Sequence, residues 1–337
     1  MIQTVYLTGA TGFLGRAVSE ELHRKGYPVQ ALVLENDPLR ASLPAWIRPR
    51  TGDVCDRGAV DRFLEDAGEN DCVIHCAGIV SVASRPGEAL RRVNVTGTEN
   101  LAAACREKGV GKLIYVSSVH AIPEKPRGER ASEAAEISPE LVQGAYAKSK
   151  AAATRIVIEE QKRGLSACIV FPSGIIGPGD EAQGSITRML LSFLAGKLPF
   201  AVRGGYDFVD VRDVARGVVS AAEKGEPGER FILSGHYATI RDLLETAKKT
   251  SKIRRFVTYL PIVLAQMVAP LAEKIALKQK KPPFFTPYSV AVLQANALFS
   301  HQNATKKLGY APRSLQKTIQ DTIQWLQKRE KRTKNEV

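Results

Sequence analysis

Tyr146 and Lys150 stand four residues apart in the segment YAKSK (Tyr146–Lys150). On a helix that spacing puts both side chains on one face. The pair has a chemical use. A free tyrosine hydroxyl titrates near ~10 and is a poor base at neutral pH. A nearby ammonium favours the phenolate, as does the positive charge of an oxidised nicotinamide. Such a tyrosine exchanges a proton with a substrate hydroxyl or carbonyl while hydride moves at the same carbon. Ser117 and Ser118 offer a hydroxyl to the same substrate oxygen. They stand at the end of an expected strand, Lys112–Ser117. Open α/β sheets bind ligands at that edge.

A hydride site needs a dinucleotide loop, and the N-terminus has a candidate. Thr8–Gly15 reads TGATGFLG, between the apolar run Thr4–Thr8 and a helical stretch, Arg16–Lys25, carrying Val18 and Leu22. In this GxxGxxG form Gly9 turns the chain, Gly12 admits a pyrophosphate, and Gly15 lets helix and strand pack closely. The helix N-terminus offers unpaired N–H groups to the phosphates. Phe13 and Leu14 complete the loop. Glu35 lies 20 residues past Gly15, about where a carboxylate binds the ribose 2′-OH of NAD. Arg40 is the alternative, suited to the 2′-phosphate of NADP; NAD is favoured. Asp53, in GDV (Gly52–Val54), is placed to bond the adenine amino group.

The elements that must position these residues follow from rhythm. Val29–Leu34, a run before Gly52, Cys72–His75 and Ser166–Phe171 read as further strands. Leu90–Lys108 and Tyr146–Arg163 read as helices. Strand–helix alternation implies an α/β fold with a doubly wound parallel sheet. After Pro172 the rhythm changes, and a smaller, mainly helical C-terminal lobe is expected. Residues 1–171 form the dinucleotide-binding domain, with 204–224 returning to it. Residues 172–330 form the substrate lobe. Lys328–Lys334 reads as a frayed basic stretch, and 331–337 as the tail.

Composition bounds the class. At 337 residues, with 44% hydrophobic and 25% charged, the chain is no collagen, disordered or disulfide scaffold. Cys55, Cys72, Cys76, Cys105 and Cys168 match no zinc pattern, so no metal is expected, and Cys72 and Cys76, flanking an expected buried strand, read as small core residues. The first apolar run, Val5–Leu7, is too short for a signal peptide, and a cytoplasmic, reducing setting is the expectation.

Taken together, these motifs resemble an extended short-chain dehydrogenase/reductase of the NAD-dependent epimerase/dehydratase group. The likeness runs through TGATGFLG, GDV, HCAG (His75–Gly78), NVTGT (Asn94–Thr98), YVSS (Tyr115–Ser118) and YAKSK. It continues through FPSGIIGPGD (Phe171–Asp180), DFVDVRDVA (Asp207–Ala215) and LGYAP (Leu308–Pro312). The resemblance implies a Rossmann-type domain and a homodimer. It implies Tyr146 as general acid/base, and Lys150 as the residue lowering its pKa and holding the nicotinamide ribose. Ser118 is then the substrate-polarising hydroxyl, with Ser117 the alternative. Gly9, Gly12 and Gly15 hold the pyrophosphate, and Asp53 and Val54 the adenine side. Ala77 and Gly78 line the cofactor, Asn94 holds the active-site backbone, and Pro172 follows the strand beside the nicotinamide.

Departures narrow the choice. Val119 and His120 replace the acidic pair of sugar-nucleotide dehydratases, and Phe171 replaces the arginine of many sugar-nucleotide epimerases. A hydrophobic residue there is similar to dihydroflavonol reductases. The apolar C-terminal segments, PPFFTPYSV (Pro282–Val290) included, suit a greasy lobe like that of 3β-hydroxysteroid dehydrogenases. The expected activity interconverts a secondary alcohol and a ketone, with His120 and Phe171 facing substrate. A sugar-nucleotide epimerase with tightly held NAD is the alternative. A non-catalytic nucleotide-sensing regulator is the third reading.

The charge is +13, which suits an anionic partner without choosing one. Lys248–Arg255 contributes +5, and Glu273–Lys281 and Lys328–Val337 contribute +3 each. None overlaps the glycine loop or Tyr146, so the cofactor does not explain the imbalance, and nucleic acid is not the expected partner. The first two runs bracket Phe256–Ala272, too short and too Pro-broken to span a membrane. A buried or interfacial helix is expected there, with peripheral contact to an anionic membrane as one outcome.

Overall fold

Short apolar runs without alternation form the central strands, as parallel sheets covered on both faces require. The computed structural model describes residues 2–82, 87–253, 255–279 and 286–335. β1 (Val5–Thr8), β2 (Val29–Val33), β3 (Ile47–Thr51), β4 (Cys72–His75), β5 (Lys112–Val116) and β6 (Ala167–Pro172) come first. β7 (Gly174–Ile176), β8 (Phe200–Val202) and β9 (Gly205–Asp210) follow outside that sheet, and β10 (Arg230–Leu233) rejoins it. The seven strands run in the order β10-β6-β5-β4-β1-β2-β3, and neighbouring strands are parallel. This is the expected doubly wound Rossmann arrangement. Because β10 pairs with β6, the chain's return to the nucleotide half extends past residue 224. β9 lies between β7 and β11 (His236–Thr239) in a second sheet, and β12 (Thr258–Leu260) pairs with β8.

The helices are α1 (Phe13–Arg24), α2 (Arg57–Phe63), α3 (Glu88–Arg91), α4 (Gly97–Glu107), α5 (Ala145–Lys162) and α6 (Ser185–Leu194). Then come α7 (Val211–Lys224), α8 (Ile240–Ser251), α9 (Ile262–Lys278), α10 (Pro287–Val292), α11 (Gln302–Leu308) and α12 (Leu315–Asn335). Successive strand residues point to opposite sheet faces. Val5, Leu7, Ile74, Ile114 and Val170 meet α1 and α7 through Val18, Leu22, Val214 and Val218. Tyr6, Val73, Leu113, Tyr115 and Phe171 meet α4 and α5 through Leu101, Cys105 and Val157 on the other face.

Three expectations change. The single helix read over Leu90–Lys108 is interrupted by a π-helical turn, Arg92–Thr96, the kind of bulge that often marks a functional position. The C-terminal stretch is helical, since α12 runs on to Asn335. Its apolar stripe, Ile319, Ile323 and Leu326, is buried, and the helix continues past it. Third, Phe256–Ala272, read as one buried or interfacial helix, is neither a single helix nor buried. It holds β12 and most of α9, whose large side chains are exposed. Cys72 is a small buried residue as expected, whereas Cys76, read the same way, is half-buried; Cys105 and Cys168 are buried and Cys55 is half-buried. Pro282–Phe285 of the apolar C-terminal segment lie outside the described residues.

The motif DFVDVRDVA fixes the second sheet. Asp210 ends β9 and caps α7, accepting from Arg212 N at 2.8 Å. Arg212 also reaches Asp321 on α12 at 2.9 Å, and Arg313 pairs with buried Asp213 at 2.9 Å. These bridges pin β9 to the C-terminal helix.

Candidate active site

The glycine loop is built by close approach. Gly9 adopts φ +74°, and a Cβ on it would lie 2.7 Å from Ala77 N. A Cβ on Gly15 would fall 2.0 Å from Gly9 O. Neither position admits a side chain. At Gly12 a Cβ would meet only Gly9 O, at 3.2 Å, so space is open on its other side. Gly12 caps α1 with no side-chain hydrogen bond. Phe13 and Leu14 begin the helix, whose first N–H groups therefore have no side-chain cap. Thr8 Oγ1 accepts from Ala77 N at 3.2 Å, tying the ends of β1 and β4. Gly78 packs on Asn94, where a Cβ would be 3.3 Å from Oδ1. This cradle fits a dinucleotide pyrophosphate: uncapped N–H groups, backbone within reach, and no side chain in the way.

Beyond β2 the nearest carboxylate is not the expected one. Glu35 is exposed. Asp37 Oδ2 accepts from Thr11 Oγ1 of the loop at 2.7 Å, and its Oδ1 from Leu39 N at 2.8 Å. Arg40 turns to Thr51 Oγ1, 2.9 Å away. Asp53 accepts from Cys55 N at 2.9 Å, and the carbonyl of buried Val54 accepts from Asn100 Nδ2 at 3.0 Å.

The centre of the site is the N-terminal turn of α5 against the end of β5. Ser118 stands beside Tyr146, and its hydroxyl accepts from His120 N at 3.3 Å. Burial raises the Tyr146 phenol above its usual value, and the Ser118 hydroxyl acts the other way. Ser117 is spent elsewhere. Its hydroxyl lies 2.7 Å from Thr154 Oγ1, whose own proton goes to Lys150 O at 2.7 Å. Ser117 therefore donates to α5 and anchors it. Lys150 shares the Tyr146 face of α5, and its Nζ donates to Val116 O at 2.6 Å. Burial brings its ammonium down to about 7.

A buried polar chain supports this turn. Asn94, on the π turn, bonds both Ile79 N (2.7 Å) and Ile79 O (2.9 Å). Its amide also donates to Ser149 Oγ at 3.0 Å, and Ser149 donates to Tyr146 O at 2.8 Å. Thr98 Oγ1 gives its proton to Asn94 O at 2.7 Å. It therefore accepts from His75 Nε2 at 3.1 Å. His75 Nδ1 then accepts from Thr8 Oγ1 at 2.7 Å. The chain runs from the glycine loop to Tyr146 and defines the His75 tautomer. Burial and the Lys150 charge push His75 down to about 3.

His120 is enclosed by tyrosines. Its Nε2 is 3.1 Å from Tyr206 Oη, and its Nδ1 is 3.4 Å from Tyr288 Oη. Its ring meets Tyr146 edge-on, centroids 5.7 Å apart. Burial lowers it to about 4, so it is neutral at pH 7. Tyr288 fits because Gly144 has no Cβ; one would stand 2.1 Å from its ring. Pro172 is buried at the end of β6. Phe171, expected to face substrate, is 0% exposed and packs in the core.

Tyr206, Tyr288 and Asp37 were not singled out by sequence reasoning. Tyr288 is 142 residues beyond Tyr146, and no spacing rule reaches across that distance. Asp37 had a signal: it follows the second strand two residues after Glu35.

Comparison with known proteins shows the family. The model of the NAD dependent epimerase/dehydratase family matches residues 5–234. Sterol demethylase protein B of Methylococcus capsulatus is 29% identical, over 97% of this chain and 99% of its own. A putative dihydroflavonol 4-reductase of Synechocystis is 29% identical, over 97% and 95% respectively. The crystal structure of gox2253 superposes with TM-score 0.84 at 31% identity, covering 97% of this chain and 98% of that one. The chain belongs to the NAD-dependent epimerase/dehydratase family, within the extended short-chain dehydrogenase/reductases.

Proposed function

We propose that the protein interconverts a secondary alcohol and a ketone on an apolar ring system, with NAD as the dinucleotide. The observation that carries this reading is the Tyr146 hydroxyl, set beside Ser118 and bordered by the His120 ring that Tyr206 and Tyr288 hold. A bound dinucleotide supplies or accepts the hydride at the substrate carbon. Ser118 donates to the substrate oxygen and steadies the charge developing there. Tyr146 gives that oxygen its proton in reduction and takes it back in oxidation. Lys150, charged below about pH 7, favours the Tyr146 anion.

Substrate class follows from the walls. Neutral His120 and two tyrosine rings favour stacking on flat apolar rings. The names of the two relatives refer to a sterol and a dihydroflavonol, both fused-ring molecules. The NAD preference rests on Asp37, whose carboxylate beside the phosphate loop repels a 2′-phosphate.

The test is NADH oxidation across a panel of steroid ketones, flavonoid ketones and UDP-sugars, after assay of any nucleotide the pure protein retains. Turnover on fused-ring ketones by protein that retains no nucleotide is expected. Retained stoichiometric NAD with conversion of UDP-sugars alone contradicts the reading.

A further inference from the structure

We propose that α9 lies in the interface of an anionic lipid bilayer, with a basic cavity beside it facing the phosphate headgroups. Residues 256–272 contain no charged side chain. An ordinary surface helix turns its large apolar residues inward. α9 does the reverse. Ala265 and Ala269 pack against Val202 and Val290, while Val263, Leu264, Met267, Val268, Leu271 and Ile275 are exposed. Met267 is 72% exposed and Phe256, just upstream, 90%. A contiguous apolar surface of this kind marks an interaction site. No helix among the described residues is long and apolar enough to cross a membrane, and α9 has 17 residues. Its geometry is that of a helix lying along a surface.

Charge chooses the occupant. Lys248, Lys249, Lys252 and Arg255 precede α9, and Lys274 and Lys278 stand in its last turns. A cavity of about 650 Å³ opens next to Phe256, lined by Arg203, Arg241, Lys248 and Arg255 against the single carboxylate of Glu245. Arg241 rests on the Tyr259 ring, 5.3 Å from its centroid. Clustered cations beside an apolar helix match anionic headgroups above acyl chains. A second copy of this chain, itself +13, would bring like charge to the same face.

The surface is also connected to the site. α9 packs on α10 through Ala265, Ala269 and Val290, and α10 carries Tyr288, which touches His120. A lipid-embedded face would thus back one wall of the enclosure around Tyr146. The binding claim itself does not depend on the proposed chemistry.

The full chain is co-sedimented with phosphatidylcholine vesicles with and without phosphatidylglycerol. Binding to the anionic vesicles is expected. It should fall at least tenfold in about 1 M salt, where the Debye length is roughly 3 Å. It should fall as much in the double variant Met267→Glu/Leu271→Glu. Both positions are exposed, and an unchanged circular dichroism spectrum shows that the variant folds. Lys274→Glu/Lys278→Glu should weaken binding with the apolar face intact. No binding to anionic vesicles at low salt overturns the proposal, as does equal binding by Met267→Glu/Leu271→Glu. A lipid-free dimer that becomes monomeric in that variant, with no vesicle binding by either, assigns the face to a second copy and also overturns it.

Discussion

Tyr206 lies face to face on His120, ring centroids 5.4 Å apart and planes inclined by 11°. Tyr206 comes from β9 of the second sheet, whereas His120 follows the end of β5. The contact joins the C-terminal half to the strand end that carries Ser118. It also sets a division of labour. In the proposed reaction, residues near β5 and α5 face the reacting oxygen, and β9 and α10 supply the walls.

His120 is therefore expected to act through packing. His120→Ala should raise KM for a fused-ring substrate by roughly tenfold, a loss of about 1.4 kcal/mol. The pH profile of kcat should stay where it is. A collapse of kcat with unchanged KM would instead place a transferred proton on His120.

Ser118 and Ser117 should separate cleanly. Ser118→Ala removes a donor to the substrate oxygen and should lower kcat by about 10²–10³. Ser117→Ala breaks the bond to Thr154. It should cost about 1 kcal/mol of stability and leave kcat within a few-fold of the parent. Steady-state kinetics and chemical denaturation on both variants give the comparison. Equal kinetic losses would contradict the assignment.

His75 makes the fold acid-sensitive in a defined direction. Folded, it is held down to about 3 from an ordinary 6.5. The unfolded chain takes up a proton as pH drops through 6.5, and the folded chain does not. Stability is therefore flat above pH 6.5 and falls as pH drops from 6.5 toward 3. The loss is on the order of 4 kcal/mol across that window. His120 adds to it with the same sign. Denaturation curves from pH 7 to pH 4 should show the decline, and His75→Gln should flatten it. A slope unchanged by the substitution contradicts the buried neutral imidazole.

Dinucleotide choice turns on the loop beyond β2. NADH should bind at least tenfold tighter than NADPH, a difference of about 1.4 kcal/mol. Asp37→Ala should narrow that gap, and Glu35→Ala should leave it nearly unchanged. Titration by intrinsic fluorescence gives the six constants. Tighter NADPH binding by the parent protein contradicts the role of Asp37.

Much of this was legible in the sequence because it is local. The apolar runs that form β1, β4 and β5 leave no alternative to burial on both faces. Gly9, Gly12 and Gly15 stand between strand and helix in the order a phosphate loop needs, and Tyr146 and Lys150 share a helix face by spacing alone. What was not legible depends on distant contacts or on local geometry that spacing leaves open. Ser117 and Ser118 are equivalent as letters, and only the bond to Thr154 takes the first out of the site. Phe171 reads as a pocket residue by position, but β6 is buried on both faces. Tyr206 and Tyr288 reach His120 from separate elements far along the chain. The count from Gly15 selected Glu35, whereas the turn after β2 brings Asp37 against Thr11.

The central claim is that the Tyr146 hydroxyl carries the proton. It is tested by Tyr146→Phe, assayed for both turnover and NADH affinity. A loss of kcat of at least about 10³-fold is expected, within the range of general acid–base catalysis, with NADH affinity within a few-fold of the parent. Turnover within tenfold of the parent would contradict it.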